Sequence, residues 1–223
     1  MALDLRRRAT DPELLDLGVP EEEVRRSLGD LRFVNRWLGG MRGLQALLEP
    51  LFPPGMSGRL LDVGSGSGDL PTLVERRFPG VRAVAADVKW LHLVLAPTGL
   101  ARVVADVRAL PFAPGSFDVV TASLFLHHFD EPEAARVLAA LWPLARRALV
   151  VNDLRRARVP YLFGRLAFPL LFRSRVSVED GLVSIRRGFT EGELRATFAD
   201  AGLPQVAIRR AFPYRLLAVA RRS

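Results

Sequence analysis

Short apolar runs alternate with segments of helical period along most of the chain. Arg59-Leu60-Leu61-Asp62-Val63 reads as a buried parallel strand, and residues 70–78, with Leu70, Leu73, Val74 and Phe78 on one side, read as the helix that follows it. Further short apolar strands are predicted over 81–88, 101–107, 117–120 and 148–154, the first two reaching Asp87 and Asp106 near their ends. Thr190 with Glu193 three residues on is a capping box for a helix running to about Ala201, which Gly202 and Pro204 stop. Residues 206–210 and 216–221 then form a terminal strand pair. At the other end, Pro20-Glu21-Glu22-Glu23 is an acidic helix start whose apolar face continues through Leu28, Leu31 and Val34 and which ends at Gly39-Gly40. The alternation predicts an α/β protein with a helical cap over 1–52 and a main domain over 53–223.

Between the first strand and its helix lies Asp62-Val63-Gly64-Ser65-Gly66-Ser67-Gly68-Asp69. Glycines at alternate positions let the backbone turn tightly and let a ligand approach without meeting a Cβ. The helix start beyond them suits a carboxylate or phosphate. The spacing departs from the dinucleotide fingerprint, because a G-x-G-x-x-G run from Gly64 would need glycine where Asp69 stands, and one from Gly66 would need it at Pro71.

The order acid-x-Gly-x-Gly-x-Gly resembles motif I of the class I S-adenosylmethionine (SAM) dependent methyltransferases. Asp87, Asp106 and the run Leu110-Pro111-Phe112 to Ser116-Phe117-Asp118-Val119-Val120 follow in the order that family requires. The resemblance covers about residues 58–153 well and the ends by layout. It implies a Rossmann-like, seven-stranded, mostly parallel sheet with an antiparallel last strand. It also implies SAM as cofactor, with S-adenosylhomocysteine (SAH) as product. Asp62, Gly64, Ser65, Gly66 and Gly68 would form the cofactor loop, Asp87 with Val88 would take the ribose, Asp106 with Val107 the adenine, and Ser123 would complete the site. Arg36, on the cap helix, is a candidate for the methionine carboxylate. Asp62 has a competing role, bracing the glycine loop.

After the fourth strand stands Thr121-Ala122-Ser123-Leu124-Phe125-Leu126-His127-His128-Phe129, similar to the "LHH" element of small-molecule methyltransferases. The Asn/Asp-Pro-Pro-aromatic motif of exocyclic-amine methylation is missing there. His127 and His128 are the acid–base candidates, since a neutral imidazole within reach of a phenol eases its ionisation; a structural role for the pair is the alternative. Asn152 and Asp153, at the end of the fifth strand, are placed to orient an acceptor hydroxyl. The apolar stretch after that strand, within a helical insertion over 155–188, reads as a substrate lid that includes Tyr161. A surface-bound amphipathic anchor flanked by arginines, and plain core packing, remain open beside it. No constellation like that of the metal-dependent catechol methyltransferases stands at the fifth-strand edge, so no metal is assigned.

Composition narrows the acceptor. With 223 residues and 49% hydrophobic content the chain can bury a substantial core. It has no cysteine, which excludes the nucleophile generally needed for pyrimidine C5 methylation. The formal charge of +8 suits nucleic acid or an anionic surface, yet Lys89 is the only lysine and the arginines are dispersed in pairs without interleaved aromatics. The expected partner is therefore a small, aromatic, quinone or polyketide-like acceptor, with RNA methylation and non-catalytic SAM binding as the alternatives. No apolar stretch reaches the roughly 20 residues needed to span a bilayer, and the start of the chain lacks the order of a secretory signal. A cytoplasmic monomer or homodimer, with peripheral membrane contact left open, is the expectation.

Overall fold

A computed structural model describes residues 4–37 and 40–222, with the side chains of Arg36 and Trp37 left undescribed. The elements run α1 (Leu14–Leu17), α2 (Glu21–Trp37), α3 (Gly40–Leu48), β1 (Gly58–Val63), α4 (Asp69–Arg77), β2 (Val81–Asp87), α5 (Trp90–Leu93), β3 (Ala101–Val104), β4 (Phe117–Ser123), α6 (Glu131–Leu141), β5 (Ala145–Leu154), α7 (Arg158–Leu171), α8 (Arg175–Arg187), α9 (Glu191–Asp200), β6 (Val206–Ala211) and β7 (Arg215–Arg221).

The seven strands form one sheet in the order β3-β2-β1-β4-β5-β7-β6. The pairs β1–β2, β2–β3, β1–β4 and β4–β5 are parallel, whereas β7 lies antiparallel between β5 and β6. Strand order reverses between β1 and β4, and the crevice beyond their carboxyl ends is where open α/β sheets bind ligands. Near-continuous apolar strands are what a sheet covered on both faces requires. Successive residues alternate between the two cores: Leu61, Val120, Leu149 and Val151 pack with α6 and α9, while Leu60, Val119, Ala148 and Val150 pack with Leu44, Leu48, Leu70 and Val74. The expected capping box is present, with Thr190 Oγ1 accepting from Glu193 N–H and the Glu193 carboxylate accepting from Thr190 N–H.

Three boundaries differ from those the sequence predicts. Strand β3 stops at Val104, two residues before Asp106. Gly40, expected with Gly39 to end the cap helix, is instead the first residue of α3, and a Cβ on it would stand 3.4 Å from the Arg215 guanidinium and from Asn35, so a small residue there serves close packing; Gly39 lies outside the described residues. The insertion after β5 is two helices, α7 and α8, packed on one another. Leu51 and Phe52, at the end of the expected cap, belong to the same core as β1 and β4. Among the described residues no helix is long and apolar enough to cross a membrane.

Candidate functional site

A cavity of about 650 Å³ lies over the carboxyl ends of β1, β2 and β4. Its floor is the glycine loop, its far wall is the turn that follows β4, and α2, α7 and α8 roof it. Gly64, Gly66 and Gly68 all take positive φ (63°, 54° and 70°), and a Cβ on Gly64 would stand 2.1 Å from the Phe125 ring. Only glycine fits there.

The acids at the ends of β1 and β2 do different work. Asp87 is 8% exposed and lines the cavity. It accepts from Gly66 N–H and Lys89 N–H, each at 2.9 Å, with His92 Nδ1 at 3.6 Å. Burial alone would raise its pKa, but His92 and the two N–H groups outweigh it and hold the carboxyl below its ordinary value. Asp62 is 2% exposed and accepts from Ser65 Oγ and Thr121 Oγ1, each at 2.8 Å. Burial pushes its pKa up to about 7. With both oxygens taken by neighbours, Asp62 braces the loop.

Asp62, Gly64, Ser65, Gly66, Asp87, Val88 and Ser123 come together in the cavity wall, with Gly68 just behind it as the left-handed N-cap of α4. Asp106 and Val107 are not in that wall: the Asp106 carboxylate is held by Arg108, with Nη2 at 2.6 Å, and Val107 is buried in the core. The side chain of Arg36 lies outside the described residues.

The far wall is built from the short turn Leu126–His128 and from residues distant in sequence. His127 is 2% exposed. Its Nδ1 lies 2.6 Å from Asp153 Oδ1 and its Nε2 3.3 Å from Glu13 Oε1. Burial would lower its pKa, but the two carboxylates outweigh this and hold it up at about 9. The expectation of a free imidazole base is thus not met at His127, because both ring nitrogens are occupied. His128 is more open to the cavity; its Nδ1 lies 2.7 Å from Asp16 Oδ2 and its Nε2 3.8 Å from Glu13 Oε2. Histidine holds the Glu13 carboxyl below its ordinary value despite burial, and His128 and Lys89 do the same for Asp16.

Asp153 is fully buried behind His127, and Asn152 donates to Ser123 Oγ at 2.9 Å; neither lines the cavity, so each acts through a neighbour. Tyr161 also lies outside the lining, which takes Val159, Pro160, Phe163, Phe168 and Phe172 from the insertion and its end. Sequence reasoning missed Glu13, Asp16 and Arg215. Arg215 is buried in the cavity wall, its Nε and Nη1 have no partner among the described residues, and burial lowers its pKa to about 10. An arginine opening a buried strand is the one local signal that marks it.

Leu124 and Tyr214, both lining the cavity, take positive φ (54° and 53°). Non-glycine residues in that region cost of order 1–3 kcal/mol and gather at functional sites.

Residues 61–142 match the methyltransferase domain family. The chain is 38% identical over 93 residues to a demethylmenaquinone methyltransferase of Thermus thermophilus, covering 36% of this chain and 42% of that protein. It is 31% identical over 153 residues to a demethylmenaquinone methyltransferase of Roseiflexus castenholzii, covering 61% and 62%. It is 31% identical over 182 residues to a malonyl-[acyl-carrier protein] O-methyltransferase of Geobacter sulfurreducens, covering 75% and 64%. The chain thus spans less than two thirds of the length of each of these relatives. In fold it is similar to the plantazolicin methyltransferase BpumL in complex with SAH, at a TM-score of 0.67 and 15% identity over 91% of this chain and 97% of that one. The sheet order, the glycine loop and the domain match together define a Rossmann-like methyltransferase. Residues 61–142 belong to the methyltransferase domain family, set in a fold similar to that of a solved methyltransferase.

Proposed function

We propose that the protein transfers the methyl group of SAM to a small, largely apolar acceptor of the phenol or hydroquinone type. The observation that carries this reading is one continuous cavity, with the glycine loop and Asp87 at one end and the His127–His128 turn under an aromatic roof at the other. The open, side-chain-free glycine backbone and an ionised, buried Asp87 suit an adenosine ribose and its attached amino acid, with Val88, Lys89 and Ser123 beside them. When bound there, SAM supplies an electrophilic methyl on a sulfonium.

The chain's contribution is chiefly position. Phe163, Phe168 and Phe172 form an apolar surface against which a flat ring packs, and α2 and α8 exclude water above it. Holding two reactants in line supplies much of a transfer barrier. The Glu13, His127 and His128 cluster is the polar group on the acceptor side; His128, the ring more open to the cavity, is the one placed to hold an acceptor hydroxyl and take up its proton. The quinone methyltransferases among the relatives support this acceptor class.

A second reading, an acceptor that carries a carboxylate, is favoured by Arg215, a buried guanidinium beside the cavity with two unpaired nitrogens among the described residues.

Calorimetric titration with SAH, followed by methyl transfer from labelled SAM to reduced naphthoquinones, simple phenols and their carboxylated analogues, tests both. We expect Asp87→Ala to weaken SAH binding at least about tenfold, as loss of a charge-assisted pair does, and His128→Ala to leave it within about threefold. Equal losses would overturn the division of the cavity into cofactor and acceptor ends. A folded, ligand-free wild type that binds no SAH would overturn the reading as a whole.

A further inference from the structure

We propose that Glu13, His127 and His128 form a binding site for one divalent transition-metal ion of the zinc type, set in the acceptor end of the cavity. The site goes beyond methyl transfer, and only its role toward the acceptor rests on that reading.

The geometry is that of a facial donor set. One ligand atom from each of the three residues lies within 4.8 Å of the others. The Nε2 atoms of the two imidazoles point at the two oxygens of a single carboxylate, 3.3 Å and 3.8 Å away. Zinc bonds of about 2.0 Å in a tetrahedral arrangement set neighbouring donor atoms roughly 3.3 Å apart. Hence an ion fits once the donors draw together, by at most about 1.5 Å for a pair standing at the 4.8 Å limit.

The second observation lies behind the donors. Each imidazole presents its other nitrogen to a separate carboxylate: His127 Nδ1 to Asp153 at 2.6 Å, and His128 Nδ1 to Asp16 at 2.7 Å. A histidine that ligates through one nitrogen almost always donates the other to a carboxylate or carbonyl, which fixes the tautomer and turns the lone pair toward the ion. Two adjacent histidines share this arrangement, with partners 137 residues apart in the sequence. The turn bearing them is itself fixed, because Arg187 Nε donates to the His127 carbonyl at 2.9 Å and Arg8 Nη2 donates to the Phe129 carbonyl at 2.8 Å.

Two imidazoles and one carboxylate are donors suited to zinc, cobalt or iron more than to calcium or magnesium. All three residues line the cavity, so the remaining coordination positions face the space an acceptor would occupy. An acceptor hydroxyl oxygen there would be polarised by the ion. Nothing local in the sequence marks a metal site here, because Glu13 stands 114 residues before His127.

The test is titration of untagged, chelator-stripped protein with Zn2+ by calorimetry and with Co2+ by visible absorption, alongside SAH. We expect one ion per chain, with a Kd of about 1 μM or below and Co2+ bands of low coordination number. Glu13→Gln and His128→Asn should each weaken binding at least about tenfold, and Asp16→Asn about 10- to 100-fold, the usual cost of losing a carboxylate behind a ligating histidine. His92→Asn should bind the ion as wild type does, which assigns it among the three histidines. Wild type that is folded and binds SAH, yet holds neither Zn2+ nor Co2+ more tightly than about 100 μM, overturns the site and leaves methyl transfer standing. Wild-type affinity in both Glu13→Gln and His128→Asn overturns it equally. An ion held as expected without any SAH binding keeps the site and sinks the methyltransferase reading.

Discussion

At the scale of single residues, Asp62 is the most exacting case. The folded protein holds a proton on it up to about pH 7, whereas its ordinary value is 3.8. Between those values the unfolded chain has released a proton that the fold retains. The stability this group contributes is therefore full below about pH 4 and lost as pH rises through about 7. Asp62→Asn keeps the shape and removes the dependence. Relative to wild type the variant should gain with pH across that window, by up to roughly 4 kcal/mol less any loss at Ser65 and Thr121. Urea midpoints at pH 4, 6 and 8 measure it; a constant offset between the two proteins would refute it. The glycine loop and Asp87 were legible in the sequence because their chemistry is local: the loop residues are consecutive and Asp87 ends its own strand. Asp62 was legible as a polar residue at a strand end, but its two partners, Ser65 and Thr121, decide that it braces.

At the scale of elements, α7 separates residues that hold the fold from residues that only face outward. Phe168 is 9% exposed, stacks on Phe172 at 4.6 Å and lies against Gly164 and Gly181, whereas Leu170 is 87% exposed. Phe168→Ala should cost about 3 kcal/mol, mostly as cavity, while Leu170→Ser should stay within about 0.5 kcal/mol. Denaturant unfolding checks both, and similar losses would mean that the exposed stripe is covered in solution. The apolar excess of this insertion was visible in the sequence. Its division into two helices was not, because Ser174, the N-cap of α8, donates to Asp30 and Glu23 of α2, more than 140 residues earlier in the sequence. The sheet was legible nearly strand by strand, since its apolar runs need only their own length to declare themselves.

At the scale of the whole molecule, the N-terminal residues act as a strap. Asp180 accepts from the N–H groups of Leu14 and Leu15, Ser184 donates to Glu13, and Lys89 Nζ donates to the Leu15 carbonyl. Arg187 joins strap, α8 and the histidine turn by donating to the carbonyls of Asp11, His127 and His128. Arg187→Met leaves the Asp11 and His128 carbonyls without this donor and the His127 carbonyl with Arg8 alone, and we expect a loss of about 3 kcal/mol in unfolding free energy. A loss below about 1 kcal/mol would show that the strap is held without it. Nothing near the start of the sequence announces these roles, since every partner lies in the middle or last third of the chain.

That separation has a bearing on how the protein is made. Residues 4–17 are synthesised long before their partners, since Asp180, Ser184 and Arg187 come only after the strands β1 to β5 have been made. Contacts spanning 166 to 176 residues carry a large loop-closure cost and reward it last. The strap should accordingly be the final piece to dock on a growing chain and the first to let go of a finished one. In hydrogen exchange, the amides of Leu14 and Leu15 should open well before those of β4. The cavity would then be an open cleft at birth, able to take in its cofactor before the polypeptide closes over it.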